Sequence, residues 1–425
     1  MAPVDKERVK EVRQFSDEGG DTFAFTPDAS ALVYAAGNRV WRHPLTGGER
    51  EEIPIRLELK RPTPPPLLLR RVRVLDFKAG GFGPETAVFI EQGRIRWIGS
   101  ERGRKIPRET VILDAGGRFA IPGLFDLHVH QDPRRPSQEV LPEAFIAYGV
   151  TTVRDTGAWL TWMNTLVDRG EASNKALPRY FFSGEILEGA LPARYSIRLL
   201  IHNEDEARDY VRRLKEGGAH FIKVYYTTSG PLQRAVADEA RQQGLPVIGH
   251  GERVKEITQS VTLGYRMLEH GPWGRFYGDV IKMLAAAGTR WDPTLADWGG
   301  DSLLLRDEPE RLADAKLRAF ASEADIAEAQ TGDRNWKAVG DKALRGHWAE
   351  VLAGIRAAHH LGVKLQAGTD AGPDPPSFFG SSLHWELEFF VQAGIPLLEV
   401  LRIATQQAAE AVGAEDDLGT LEPGK

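Results

Sequence analysis

The chain has 425 residues, too many for one small domain and enough to bury a large core. Hydrophobic residues make up 42% and charged residues 27%, ordinary for a soluble globular protein, and no apolar run approaches the roughly 20 residues of a membrane span. The net charge of −6 argues against a sequence-independent grip on nucleic acid, and the lack of any cysteine excludes disulfides and thiolate metal sites.

The N-terminus, MAPVDKERVKEVRQ, is charged and has no apolar h-region, so it is not a secretory signal as it stands. The compartment is therefore left open, export included. Residues 22–51, TFAFTPDASALVYAAGNRVWRHPLTGGERE, alternate apolar and polar residues in short runs broken by Pro-Asp, Gly-Asn and Gly-Gly. That is the pattern of short antiparallel strands joined by turns. The segment resembles one blade of a TolB-like β-propeller, whose repeats carry similar F-x-P-D and W-x-x-x-L-x-G-G patterns. One blade cannot bury its own faces. Residues 1–60 are therefore expected to be a propeller remnant, with a small β appendage as the alternative.

Arg61 to Pro66 (RPTPPP) reads as a stiff linker. Over 67–122 the runs LLLRRVRVLDF, ETAVFIEQGRIRWIGS and TVILDAGGRFAIPG are rich in β-branched or aromatic residues and end in turn formers, as in a β-sandwich. From Gly123 the pattern becomes strand–helix alternation, which implies a parallel sheet. Eight candidate strands follow: GLFDLHVH, GVTTVRDTG, RYFFSGEIL, AHFIKVYYT, LPVIGH, YRMLEH, TRWDPTL and VKLQAGTD. Amphipathic stretches such as NEDEARDYVRRLKEGG lie between them. Length and count match an α/β TIM (β/α)8 barrel over 123–412. The long segment from Ala296 to Gly362 predicts inserted helices beside the barrel mouth, and residues 413–425 turn back towards the sandwich.

His128 and His130 stand as H-V-H at the end of the first strand, where i and i+2 face the same way. The 11 histidines in 425 residues give roughly 0.3 such pairs by chance, so the motif needs context. The context is a set of residues on or at the ends of other strands. Lys223 lies on the fourth, His250 ends the fifth, His270 ends the sixth and Asp370 ends the eighth. A barrel converges such positions at its C-terminal mouth.

These residues and the stretches IPGLFDLHVH, GVTTVRDTG, IKVYY, IGHG, LEHG, AGTDAG, LRIATQQAAEAVG and LGTLEPGK resemble the amidohydrolase superfamily over residues 67–425. YGDVIKMLAAAGTRWDPTLADWGG and SSLHWELEFFVQAG look most like its propeller-fused branch, related to imidazolonepropionase-like and Xaa-Pro dipeptidase-like hydrolases. The resemblance implies His128, His130 and Asp370 at a first metal, His250 and His270 at a second, and a carboxylated Lys223 between them. Zn²⁺ suits such N/O donors, with two ions if Lys223 is carboxylated and one if it is not. Asp370 then has one oxygen for the metal and one to accept a proton from water, as general base. The implied reaction is hydrolysis of an amide, lactam or ester bond in a small, partly apolar substrate.

Tyr225, Tyr226 and His384 are the substrate-binding candidates, and Trp159, Trp273, Trp291 and Trp298 could add aromatic walls. Arg154 and Asp155 are expected to pair with each other or to bind a substrate carboxylate. His43, His202, His220, His347, His359 and His360 fit no ligand position. Two other functions compete: a mononuclear deaminase and a metal-free scaffold. Deaminases of the superfamily usually carry a Glu three residues after the fifth-strand His, where this chain has Arg253. The scaffold reading would require lost ligands. No membrane or nucleic-acid partner is expected, and a homo-oligomer is compatible with the sequence. Relatives continue past EPGK with further sandwich strands, so those strands and the rest of a propeller are expected from a longer chain.

Overall fold

The computed structural model describes residues 22–36, 39–55, 64–131, 141–173, 176–189, 197–271, 277–331, 339–372 and 377–425. The chain forms two compact units, residues 1–59 and 60–425. In the first, β1 (Thr22–Phe25), β2 (Ala31–Ala36), β3 (Arg39–Pro44) and β4 (Glu51–Ile53) make one antiparallel sheet in chain order. Its first turn is fixed by Asp28, whose carboxylate accepts from the backbone N–H and hydroxyl of Ser30. Ala31 and Tyr34 are buried, while Phe23 and Phe25 are exposed.

The second unit begins with β5 (Leu67–Asp76), β6 (Gly81–Glu91), β7 (Arg94–Gly99), β8 (Val111–Asp114) and β9 (Phe119–Ala120). The sheet order is β7-β6-β5-β8, with β9 also on β5. Leu68, Ala87 and Phe89 pack with Trp97 and Ile106, while Val72, Val74, Val88 and Ile95 form a separate cluster with Leu421. The C-terminal residues join the sheet, because Ile95 donates to Lys425 O and Gly424 donates to Ile95 O. β8 lies at the edge, and its Val111, Ile112 and Leu113 are exposed.

Parallel β/α units follow. β10 (Leu124–Val129), β11 (Val150–Asp155) and β12 (Arg179–Phe182) form one parallel sheet. β13 (Ile186–Glu188), β14 (Arg198–Leu200), β15 (Ile222–Val224), β16 (Val247–His250), β17 (Met267–Glu269) and β18 (Arg290–Asp292) form another, ordered β14-β13-β15-β16-β17-β18. The helices obey the expected start and stop chemistry. Glu204–Glu216 is capped by Asn203, whose side chain accepts from Glu206 N, and it buries Ala207, Val211 and Leu214. Its acids sit in the first turn, and Arg213 and Lys215 in the last, which suits the helix dipole.

The structure corrects the expected strand set in three places. RYFFSGEIL is two strands, broken where Gly184 takes a left-handed φ of 72°; β12 pairs with β11 and β13 with β15. VKLQAGTD is not a ladder strand; it makes one isolated bridge, Leu365 to Trp291, and the next residue, Ala371, makes another to Val129. β14 had no counterpart among the expected strands. The segment 364–371 nevertheless hydrogen-bonds on both sides, to Trp291 on β18 and to Leu127 and His128 on β10.

Helices occupy the long 296–362 segment as expected, the longest being Asp341–His360. Among the described residues no helix is long and apolar enough to cross a membrane. Ile355 is fully buried on Asp341–His360 as part of the main apolar cluster. Ile355→Ala should cost about 2–5 kcal/mol through lost contacts and a cavity. Urea or guanidinium denaturation should show this as a lower midpoint with an unchanged slope.

Candidate metal centre

His128, on β10, and His130, one residue past its end, are both buried and turn to the same side. Their Nε2 atoms lie 3.3 Å apart, and each is 3.3 Å from Oδ1 of Asp370. Asp370 is held opposite by its own backbone, which donates to His128 O at 2.8 Å. Close approach here requires glycine: Gly372 has φ 134°, and a Cβ on it would strike the carbonyl of His130. Asp126 ties the same two segments together by accepting from Thr369 N at 3.1 Å and Thr369 Oγ1 at 2.9 Å.

The partners of the other ring nitrogens set the tautomers. Nδ1 of His128 lies 2.6 Å from the Glu269 carboxylate, and Nδ1 of His130 lies 2.9 Å from Gly157 O. Both partners are acceptors, so both Nδ1 atoms donate and both Nε2 lone pairs face the same point. Two lone pairs and a carboxylate oxygen converging on one point are donors in want of a cation. Burial is the largest influence on all three groups. It drives His128 well below its ordinary pKa. At His130 the Asp370 carboxylate outweighs burial and raises the pKa. At Asp370, burial is outweighed by His128, His130 and Lys223, and the pKa falls.

Lys223 lies on β15 with 1% of its surface exposed, and among the described residues its Nζ has no hydrogen-bond partner. Burial lowers its pKa to about 8, against the pull of Glu269, Asp370 and Asp292. The His250 and His270 ring centroids are 4.2 Å apart, and those of His270 and His128 are 4.8 Å apart. Nε2 of His250 donates to Glu252 at 3.0 Å. Nδ1 of His270 meets Thr294 Oγ1 at 2.8 Å.

Tyr225 and Tyr226 flank His250, with ring centroids at 4.6 and 5.1 Å. The Arg198 guanidinium lies over Tyr225 at 3.6 Å and pairs with the buried Glu188 at 3.0 Å. His384 is not brought to the cluster. It stands exposed on the helix Ser381–Gln392, donates to Tyr148 O at 2.8 Å, and lines a separate cleft with Arg311 and Lys316. Trp291 is core: its indole N–H donates to His270 O. Trp298 is buried, and Trp159 is partly buried beside β11. Trp273 lies outside the described residues.

The expected pairing of Arg154 with Asp155 is also corrected. Successive strand residues face opposite ways, and Arg154 turns into the buried interior beside Glu269 instead. Its guanidinium binds Glu269 at 2.8 Å and approaches Asp292 at 3.6 Å, while Asp155 accepts from Gln131 N and Gly157 N. Glu269, Asp292 and Asp297 were missed in the sequence. Glu269 directly precedes His270, so strand alternation would send one of them outward. His270 breaks that alternation with φ 64°.

Three compact donor groups result among the described residues: His128, His130 and Asp370; His128, Glu269 and Asp292; and His270, Asp297 and Asp370. The second already encloses the Arg154 guanidinium, so it suits an orienting role. The carboxylate fixes the His128 ring, and Arg154 offsets the buried charge. Glu269→Leu should weaken Zn²⁺ binding about 10- to 100-fold in calorimetric titration, with Glu269→Gln weakening it less because an acceptor remains.

The family model for the amidohydrolase family matches residues 119–425. A dihydroorotase of Geobacter metallireducens is 28% identical over 201 residues, which span 46% of this chain and 45% of that one. This chain thus spans less than half the length of that relative. An imidazolonepropionase of Streptomyces avermitilis is 25% identical over 384 residues, 83% of each chain. Among solved structures, a candidate prolidase from Bifidobacterium longum superposes with a TM-score of 0.67 at 25% identity, over 86% of this chain and 88% of that one. The chain belongs to the amidohydrolase family.

Proposed function

We propose that this chain is a metal-dependent hydrolase that adds water across a C–N bond, or an ester C–O bond, of a small, partly apolar substrate. The observation that carries the proposal is the convergence of His128 Nε2, His130 Nε2 and Asp370 Oδ1 at 3.3 Å separations. We read His128, His130 and Asp370 as one metal position, and His250, His270 and a carboxylated Lys223 as contributors to a second. The buried amine of Lys223 supports this, because only a neutral amine can take up carbon dioxide and burial favours that form. An ammonium has no lone pair to offer.

A divalent cation held here supplies a Lewis acid and brings the pKa of water towards neutrality. The residues do the rest. Glu269 fixes the His128 ring, and Gly157 O fixes the ring of His130. Asp370 Oδ1 faces the two imidazoles, and Oδ2 lies 3.9 Å from His270. Oδ2 is thereby placed to take a proton from the attacking water and return it to the leaving nitrogen. Tyr225 and Tyr226, beside His250, would line the substrate side. The family matches include proteins named dihydroorotase and imidazolonepropionase, and a candidate prolidase. Cyclic amides and Xaa-Pro dipeptides are therefore the first substrates to try.

The same reading treats residues 123–412 as a (β/α)8 barrel, with segment 364–371 as its eighth stave between β18 and β10. Residues 67–122 with the C-terminal return would be its β-sandwich, 61–66 a linker, and the four-stranded sheet within residues 1–60 a single propeller blade.

The test is a panel of Xaa-Pro dipeptides, cyclic amides, lactams and lactones, with protein loaded with Zn²⁺, Mn²⁺ or Co²⁺. Turnover should appear with at least one class, vanish on chelation and return on reloading. Asp370→Asn should lower kcat by about 10²- to 10⁴-fold. Turnover that survives both chelation and Asp370→Asn would refute the reading.

A further inference from the structure

His130 lies one residue past β10, beyond the last pair that β10 makes with β11, Val129 with Asp155. Its ring is therefore not fixed by that ladder. The turn after β11 supplies what the ladder lacks. Thr156 N donates to Val129 O at 3.0 Å, and Gly157 O accepts from His130 Nδ1 at 2.9 Å. A Cβ on Gly157 would lie 2.6 Å from Ile186 and 3.0 Å from His130 Nδ1, so this backbone meets the ring with no room to spare.

Asp155 joins the turn to the chain just beyond His130. Its Oδ1 accepts from Gly157 N at 3.0 Å, and its Oδ2 accepts from Gln131 N at 2.9 Å. One of these N–H groups belongs to the residue after His130. The other belongs to the residue whose carbonyl receives the His130 proton. Asp155 and Thr156 are fully buried, and Gln131 is 1% exposed, so water does not compete for either bond. Asp155 belongs to no compact donor group among the described residues. A buried carboxylate that offers no atom to such a group, yet binds the backbone on both sides of a proposed ligand, is placed to orient that ligand.

We propose that Asp155 is a positioning residue for the metal centre, holding the His130 ring, and so the direction of its Nε2 lone pair, through Gly157 and Gln131. The proposal rests on the reading of His128, His130 and Asp370 as a metal position. Glu269 touches the His128 ring directly, whereas Asp155 acts on His130 through two backbone groups. Without its carboxylate, the turn is free to shift, and the ring that leans on Gly157 O shifts with it.

The experiment compares the wild type with Asp155→Ala, Asp155→Asn and Ile355→Ala, each stripped by chelation and checked for folding by circular dichroism. Zn²⁺ affinity is measured in competition with a coloured chelator, and the visible spectrum is recorded after loading with Co²⁺. Asp155→Ala should weaken Zn²⁺ binding about 10- to 100-fold and alter the Co²⁺ bands. Asp155→Asn keeps one acceptor oxygen and should weaken binding about tenfold or less. Ile355→Ala, which lowers stability but lies on neither segment, should leave affinity and spectrum unchanged. Should Asp155→Ala not fold, the Asp155→Asn affinity is the deciding result. Wild-type affinity and an unaltered Co²⁺ spectrum in the folded Asp155 variants would overturn the role and leave the metal centre standing. An equal loss of affinity in Ile355→Ala would overturn it too, because the effect would then follow stability alone. No bound metal in the wild type would sink the centre and this role together.

Discussion

The contact between Glu269 and His128 is the interaction on which the rest of the centre depends. A carboxylate in a dry interior is costly unless it is matched by opposite charge. Here it is matched by Arg154, which also binds the Leu127 carbonyl and so is fixed to the same strand as His128. The result is a chain from guanidinium to carboxylate to imidazole that ends in a lone pair aimed at Asp370. Around it the interior is short of cations. Burial, moderated by bonds from Thr369 and His128, pushes Asp126 up to about 7, and burial together with Glu269 pushes Asp292 well above the carboxylate range. A divalent ion at the His128, His130 and Asp370 position would complete the balance of charge.

The backbone is bent to serve the same cluster. His270, Thr294 and Asp370 all have left-handed φ values, of 64°, 46° and 57°. For non-glycine residues, and above all for a β-branched threonine, such conformations cost of order 1–3 kcal/mol each and concentrate where function demands them. His270 and Thr294 lie just past the ends of β17 and β18, and Asp370 lies in the bridged segment 364–371. The left-handed conformation lets Glu269 and His270, adjacent in sequence, both face inward, and it turns Asp370 towards His128 and His130. The local cost is offset by the dense core of parallel strands and helices, in which Leu127, Val129, Leu187 and Ile222 are buried.

The sequence showed the strand–helix alternation, and H-V-H with Asp370, because both rest on short periodicities: apolar runs for strands and spacing i, i+2 for shared direction. Those three side chains do come together. What stayed hidden depends on departures from periodicity. Gly184 splits the third expected strand, and the eighth does not form a ladder. The pairing of Arg154 with Glu269 joins residues 115 positions apart. Asp297 sits on an irregular turn in a long insertion, where no period points inward. His384 looked like a site residue in its motif, but the helix that carries it turns it to a different cleft.

The most direct test of the account is anomalous diffraction at the zinc edge from crystals of the zinc-loaded protein. A strong peak is expected within bonding distance of His128 Nε2, His130 Nε2 and an Asp370 carboxylate oxygen. Fully loaded crystals with no peak there, or with zinc bound only at surface histidines, would contradict it.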